Sequence, residues 1–400
     1  MNKIPESNLR NTINTEIHPK MNSLVNISLK AIEEMFIDSS KSFYSKRKLK
    51  RNKVVNRGEF QRYNLIALLG LYKASVHGLK TKINIEEVID YQINYVQKYK
   101  SIGDIGLLLW LVSLANPEKL VYILPKINFN TVLEDYNDAK KQMTTELSWF
   151  LIGLLSATIF NKNFSAVIKD LPQQAYQIIR NNYGGNGIFA HNGKNKFQLF
   201  SRKRIGTFSD QVYSIYAFTM YAKVFRNKEA LMIAMECADK LAGKQGEYGQ
   251  WWWHYDSSTG EVISKYPVYS VQQDALAPMA FLAVQRATGK NYTDYINKGI
   301  NWLFSNNELR ARIVNENKKL IYQSISINNF TRYFNILVSS IFRFNFPKKV
   351  KLKISKRAYL YHYGWVLFVF SELNSLNVKR KIKSPVKTKN RTVKIFSINN

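Results

Sequence analysis

Gln245-Gly246-Glu247-Tyr248-Gly249-Gln250-Trp251-Trp252-Trp253-His254-Tyr255-Asp256 leads to Tyr269-Ser270-Val271-Gln272-Gln273-Asp274 and then to the apolar stretch Ala275-Leu276-Ala277-Pro278-Met279-Ala280. Glycines, aromatics, a histidine and a carboxylate crowd into a loop that ends where an apolar helix begins. The same succession occurs in Gly184-Gly185-Asn186-Gly187-Ile188-Phe189-Ala190-His191, which leads to Phe208-Ser209-Asp210-Gln211 and another apolar run. If the helices form a ring of hairpins, both loops fall on one rim and together make a site.

Outward from these loops, six stretches are apolar nearly all round and open on polar residues. They are 61–74 (Arg62, Tyr63 and Asn64 at its start), 104–115, 144–157 (Glu146), 210–223, 273–285 (Asp274) and 361–373 (His362, Tyr363). Helices of that composition are buried on several sides. Between them lie stretches with charged faces, at 22–43, 85–99, 163–181, 227–241 and 292–304. The segment 115–128, with Pro117 and Pro125, reads as a shorter or irregular outer helix. The alternation of outer and inner helices predicts an all-α ring, an (α/α)6-type toroid with an inner barrel inside an outer shell. Small β-hairpin insertions are expected on one rim, chiefly 249–255 against 261–266 across the turn 256–260. The segment 315–352 reads as an insertion of short strands or irregular structure. The expected organisation is an N-terminal outer helix and basic segment over 1–58, the toroid over 59–374, and a basic, disordered tail over 375–400.

Four hundred residues, 46% of them hydrophobic, supply an ample core. The polar N-terminus has no apolar leader segment, and the runs 105–115 and 147–160 fall short of the roughly 20 residues a bilayer span needs. The expected location is the cytoplasm, with peripheral contact at the inner face of the membrane. A single cysteine, Cys237, excludes an internal disulfide and a multi-thiolate zinc site, and no cofactor or metal is expected. The net charge of +31 is partly clustered: seven cations and no acid from Lys46 to Arg57, and eight from Lys379 to Lys394. Such clusters suit an acidic glycan or an anionic membrane surface, and equally a solvated face with a basic tail. Nucleic acid has only the charge in its favour, because no recognition module, phosphate loop or nucleotide fingerprint is present.

The stretch Gln245-Gly246-Glu247-Tyr248-Gly249-Gln250-Trp251 resembles the Gln-x-x-x-Gly-x-Trp repeat of the squalene and oxidosqualene cyclases, and Tyr183-Gly184-Gly185-Asn186-Gly187-Ile188-Phe189 resembles a degraded copy. The wider α/α-toroid group includes protein prenyltransferases, sugar 2-epimerases, uronate C5-epimerases and unsaturated-uronide hydrolases. The resemblance covers residues 60–373. In the cyclases the motif is structural, so it implies a fold and not a reaction. Terpenoid cyclase chemistry implies an Asp-x-Asp-Asp motif, to which Asp135-Tyr136-Asn137-Asp138 is the nearest approach. Prenyl transfer implies a zinc held by Asp, Cys and His, for which only Cys237 is present. Tyr266-Pro267-Val268-Tyr269-Ser270-Val271-Gln272-Gln273-Asp274-Ala275 resembles the inner-helix starts of uronate epimerases. Trp302-Leu303-Phe304, Asn307-Glu308-Leu309 and Tyr363-Gly364-Trp365 resemble proteins of bacterial surface-polysaccharide biosynthesis. The function so implied is epimerisation, elimination or hydrolysis on an acidic bacterial polysaccharide or its precursor. The alternatives are a non-catalytic polysaccharide-assembly or membrane-associated binding protein, and a terpenoid cyclase- or prenyltransferase-like enzyme.

The inner helices open with Asn64, Asp104, Glu146, Asp210, Asp274 and His362. Helix N-termini favour carboxylates, so capping accounts for each acid singly; Asp104 and Asp210 are the best-placed caps, with Ser209 competing. Collectively they would ring one cavity, where carboxylates repel and one pKa rises, which makes an acid/base pair. Asp210 and Asp274, each ending an elaborated loop, are expected to move protons with His254 or His191, and Tyr269 to act as a proton donor. Gln211, Gln273, Glu146 and Asp104 are expected to bind substrate. In a strand Trp251 and Trp253 share a face, on which one of them would stack a sugar. Lys194, Lys196, Arg202, Lys203 and Arg204 lie in the first rim loop and would draw in an anionic saccharide, with Arg202 and Arg204 clamping its charge.

Overall fold

The computed structural model describes residues 17–99, 101–127, 143–161, 168, 170–192, 204–327 and 351–383. Helix α1 (Ile17–Met35) packs on the last helix of the ring and turns Met21, Leu24, Val25, Ala31 and Ile32 inward. The expected outer helix over 22–43 therefore ends early, and a basic hairpin follows it, β1 (Ser42–Lys50) and β2 (Lys53–Glu59). Two features of the chain account for this. Lys46-Arg47-Lys48-Leu49-Lys50 has a period of two, with Arg47 buried between exposed Lys46 and half-buried Lys48. Arg51 and Asn52 both hold positive φ, 46° and 63°, the backbone of a two-residue type I′ turn.

Inner and outer helices then alternate. They are α2 (Gln61–Val76), α3 (Ile85–Asn94), α4 (Ile102–Ala115), α5 (Thr144–Phe160), α6 (Leu171–Asn181), α7 (Phe208–Phe225), α8 (Lys228–Gly243), α9 (Ala277–Thr288), α10 (Thr293–Leu303) and α11 (Leu360–Lys383). A turn of π-helix, Gln272–Leu276, opens α9. Pro278 has no N–H to give the Asp274 carbonyl and its ring crowds that oxygen, which accounts for the widened turn. Between α4 and α5, where Pro117 and Pro125 stand, the outer layer is reduced to short helical turns from Pro117 to Lys126.

The inner helices α2, α4, α5, α7, α9 and α11 pack each on the next, and α11 returns to α2, so the ring closes. Closure at two of the seams depends on glycine. A Cβ on Gly70 would stand 2.2 Å from the Gly364 carbonyl oxygen, and one on Gly153 would stand 2.3 Å from that of Gly106. Aromatic rings fill the lumen: Trp110 of α4 lies 5.5 Å from Tyr216 of α7, 5.7 Å from Trp365 and 5.0 Å from Phe368 of α11. Rings packed this closely fill the middle of the ring among the described residues.

Small sheets decorate the end where the inner helices begin. Strand β3 (Ile205–Thr207) pairs with β4 (His254–Asp256), which forms the expected hairpin with β5 (Val262–Ser264). β6 (Val268–Tyr269) pairs with β7 (Ser324–Ile327), and β7 with β8 (Leu352–Ser355), so both flanks of the expected insertion are stitched to the second rim loop. β9 (Arg357–Tyr359) pairs with β1 and joins the last inner helix to the first hairpin. Among the described residues no helix is long and apolar enough to cross a membrane.

Candidate functional site at the mouth of the barrel

Polar groups gather where the inner helices start. Asp104, Glu146, Asp210 and His362 each occupy the third residue of their helix. This position explains why the acids are not the caps expected of them. Ser101 caps α4, its hydroxyl accepting from Gly103 N at 3.2 Å. Thr207 caps α7 in a reciprocal capping box with Asp210. Asp104 and Glu146 are left to reach Arg62 of a neighbouring helix, while Asp210 reaches Thr145 of one and closes its own capping box.

On α2, Arg62 reaches across both neighbours. Its Nε donates to Asp104 at 2.5 Å and its Nη2 to Glu146 at 2.7 Å, while the guanidinium lies 5.2 Å over the Trp149 ring. Ser101 donates its hydroxyl to Glu146 as well. Burial pushes the Asp104 carboxyl up from the usual carboxylate range against the opposing pull of Arg62, and the nearby Glu146 charge adds to the rise.

Asp210 is fully buried and holds the second part of the site. Its Oδ1 accepts from the Thr145 amide (3.1 Å) and hydroxyl (2.6 Å), and its Oδ2 from the Thr207 amide (2.8 Å) and hydroxyl (2.6 Å). The remaining partner is His191, whose Nδ1 lies 2.9 Å from Oδ2. The His191 backbone is pinned on both sides, its amide donating to Ile205 O and its carbonyl accepting from Thr144 N, each at 2.8 Å. The imidazole side chain is 40% exposed. The Asp210 charge holds its pKa above the usual histidine value against the effect of burial, and Glu146 adds to this. With Nδ1 on the carboxylate, Nε2 is the nitrogen left for a ligand.

Aromatic side chains stand around the same opening. Tyr63 lies 4.7 Å from Tyr361 and 6.4 Å from Tyr359, and Trp253 packs edge-on against Tyr269 at 5.0 Å. Behind them, Asp274 Oδ1 and His362 Nε2 lie 2.6 Å apart, both side chains buried. Burial raises the Asp274 carboxyl. Its Oδ2 and both polar atoms of Asn64 are buried without a protein partner. Such atoms mark places where water or a ligand supplies the missing bond.

No protein-family model and no curated protein sequence matches the chain. Solved structures do match its fold. A sugar epimerase from a ruminal bacterium aligns over 89% of this chain and 98% of its own, with a TM-score of 0.59 at 11% identity. A possible member of the GH105 family from Salmonella enterica aligns over 89% and 94%, with a TM-score of 0.57 at 10% identity. The unsaturated glucuronyl hydrolase from Bacillus sp. GL1, responsible for degradation of glycosaminoglycan, aligns over 91% and 97%, with a TM-score of 0.53 at 11% identity. The fold is an α/α toroid, as in these three proteins. At these identities the likeness concerns the toroid itself and not the identity of its site residues.

Within this toroid the residues singled out in the sequence separate into three groups. His191, Asp210, Asp104 and Glu146 come together at the mouth. Asp274 is buried on His362, and Tyr269 stands in the aromatic wall. His254 lies on β4, its Nδ1 3.0 Å from the Ser264 hydroxyl.

The third group corrects the sequence reading. Trp251 is fully buried against Phe208, Phe281 and the bare backbone of Gly299, so it has no face for a sugar. The three tryptophans also precede β4, so the expected strand alternation does not govern them. Trp253 is half-buried, its ring against Tyr269. Gln211 and Gln273 do not line the opening either, because both are fully buried. Gln211 accepts from Phe189 N at 2.7 Å and donates to Phe189 O and Thr207 O, each at 2.9 Å. Gln273 accepts from Trp251 N at 3.2 Å and donates to Tyr269 O at 3.0 Å. The two glutamines tie equivalent loops, whose amides Gly184 and Gly246 donate to Ile188 O (2.9 Å) and Gln250 O (2.8 Å). The two loops thus share one turn geometry.

Arg204 is exposed beside this turn system. Arg202, Lys194, Lys196 and Lys203 lie outside the described residues, as does the segment 135–138. Of the second basic cluster, Lys379 to Lys394, the described part is helical backbone as far as Lys383. Arg62 was missed as a site residue. The available signal was a cation among the polar residues that open an otherwise apolar helix.

Proposed function

We propose that this protein is a saccharide-acting enzyme that transfers protons at the mouth of the toroid, with an acidic saccharide as substrate. The observation that carries this reading is His191, half-exposed at the opening and held through Nδ1 by buried Asp210. A histidine so held can accept or donate a proton through Nε2 near neutral pH. Asp104, with its raised carboxyl, is the complementary acid beside Arg62 and Glu146. Tyr63, Tyr361, Tyr269 and Trp253 supply flat apolar faces of the kind that sugar C–H surfaces pack on. Asp210 then acts as a positioning residue, because it is fully enclosed and reaches the ligand only through His191. The reaction class consistent with this set is epimerisation, elimination or hydrolysis. The expected setting is assembly of a bacterial polysaccharide, and the expected location is the cytoplasm.

The test is proton NMR of the purified protein in D2O with acidic and neutral oligosaccharides. Solvent deuterium at a sugar carbon indicates epimerisation, a new vinyl signal indicates elimination, and a new reducing end indicates hydrolysis. His191→Gln is expected to lower kcat by 10²–10⁴-fold, roughly the worth of general acid–base catalysis, with little change in KM. Turnover undiminished in His191→Gln would remove His191 from the mechanism. No turnover of any sugar by the wild type, alongside retained binding, would favour a non-catalytic binding toroid.

A further inference from the structure

The β9–β1–β2 sheet carries a charge pattern that the mouth does not use. Residues directly opposite in an antiparallel pair share a face. Tyr359, Lys46 and Arg57 form one such row, Arg357, Lys48 and Val55 the next, and Lys50 with Lys53 a third. Six cations therefore occupy one face: Lys46, Lys48, Lys50, Lys53, Arg57 and Arg357. Five of them are exposed and Lys48 is half-buried. Among the described residues none of the six has an acidic partner within ion-pair distance. The one acid on that face, Glu59 opposite Tyr44, accepts from the Ser42 hydroxyl at 2.6 Å. The inward face is built differently. There Arg47, buried, pairs with Glu34 at 2.6 Å. The cation the fold encloses is neutralised, and the cations it displays are not.

This face is continuous with the mouth. Tyr359, in the row with Lys46 and Arg57, has its ring 5.8 Å from Tyr361 and 6.4 Å from Tyr63. Phe60, the residue after β2, is 49% exposed and packs 4.8 Å from the Tyr63 ring. Rings thus lead out of the opening and give way to rows of cations, about 4.8 Å apart across strands and roughly 7 Å apart along them.

We propose that this sheet face is a binding track for the extension of a polyanionic glycan whose end occupies the mouth, so that the substrate is a chain and not a single sugar. The inference rests on the reading of the mouth as a saccharide site. Rings at the mouth followed by rows of cations match a chain whose end seats on apolar ring faces and whose further residues present carboxylate or sulfate groups. A single sugar held in the mouth would not reach the third row. An anionic bilayer would also answer the charge, but nothing about a bilayer calls for the aromatic path from the sheet into the mouth.

The experiment measures binding, not turnover. Fluorescently labelled oligogalacturonates of 2 to 12 residues are titrated at 0.15 M salt against wild type and Lys46→Gln/Lys48→Gln/Arg57→Gln/Arg357→Gln. Parallel titrations use a neutral oligosaccharide, a DNA duplex, and vesicles of phosphatidylcholine with 30% phosphatidylglycerol. All four substitutions are on the outer face, and an unchanged thermal midpoint confirms the fold. The expected result is a wild-type affinity that climbs with chain length. The variant should lose about tenfold for the longest chain and nothing for the disaccharide. Equal length dependence in both proteins overturns the track. So does tighter binding of the vesicles or the duplex than of the longest glycan. Turnover of a disaccharide without length-dependent binding would overturn the track and leave the enzyme reading standing. Length-dependent binding lost in the variant, with no turnover of any sugar, would do the reverse.

Discussion

His191 and Asp210 show how one contact can be both structural and chemical. Asp210 is enclosed by two threonines and the imidazole, and this enclosure keeps the carboxylate directed at Nδ1. The consequence is measurable by NMR titration of the histidine ring protons. In the wild type His191 should titrate above its ordinary value of about 6.5. In Asp210→Asn it should fall back toward or below that value, because the largest cause of the rise is gone and burial remains. No shift between the two would separate the pair. The stability linkage has a definite sign. The folded-state pKa is raised, so the contribution of the pair is complete below about pH 6.5 and is lost as pH climbs through the higher folded value. Thermal midpoints of wild type and Asp210→Asn should therefore converge as pH rises from 6 toward 8, apart from a constant offset for the lost capping bonds.

The elements meet at distances that only small residues permit. On α2, Gly70 faces the Gly364 carbonyl of α11, and a methyl group there would stand 2.2 Å from that oxygen. The obstacle is backbone, so relief requires the two helices to separate. Gly70→Ala should destabilise by roughly 1–3 kcal/mol, as overpacked cores do, even though alanine is the better helix former. Chemical denaturation measures it. An unchanged midpoint would mean that the seam yields without cost. The same scale explains the two glutamines. Gln211 and Gln273 each stand near the start of an inner helix and hold the backbone of the preceding loop. The described parts of the loops are thereby tied to the helices they lead into by side-chain hydrogen bonds. Cys237, the one cysteine, is buried in α8, and burial raises its thiol pKa well above the ordinary value.

At the scale of the whole molecule the ring closes through its ends. The last inner helix seats on the first, and β9 pairs with β1. The site shares this dependence, since Tyr361 and His362 come from α11 while Arg62 and Tyr63 come from α2. A chain ended before Leu360 should therefore lose the fold as a unit and not shed one hairpin. It would expose the apolar faces of α1, α2 and α9 that α11 covers. Calorimetry of the full chain should show one cooperative transition, and the shortened chain none. A shortened chain that melts cooperatively would mean the ring is a stack of independent hairpins.

Much of this was legible in the chain because it is local. Helices apolar all round and helices with one charged face differ in composition, and that difference alone separates inner from outer layers. The glycine-rich turns were legible because a positive φ leaves little choice of residue, as at Gly187 and Gly249, with φ of 73° and 91°. The end of α1 and the hairpin after it were less so, because a dense run of lysines masks a period of two. Which acid faces a ligand was not legible at all. Asp104, Asp210 and Asp274 look alike in sequence, each a carboxylate near the start of an apolar helix. Only the closed ring separates them, since it brings Arg62 to Asp104, His191 to Asp210 and His362 to Asp274. Burial and partner decide the chemistry of a carboxylate, and partners 42 and 88 residues away for Asp104 and Asp274, and 19 for Asp210, meet them only in the fold.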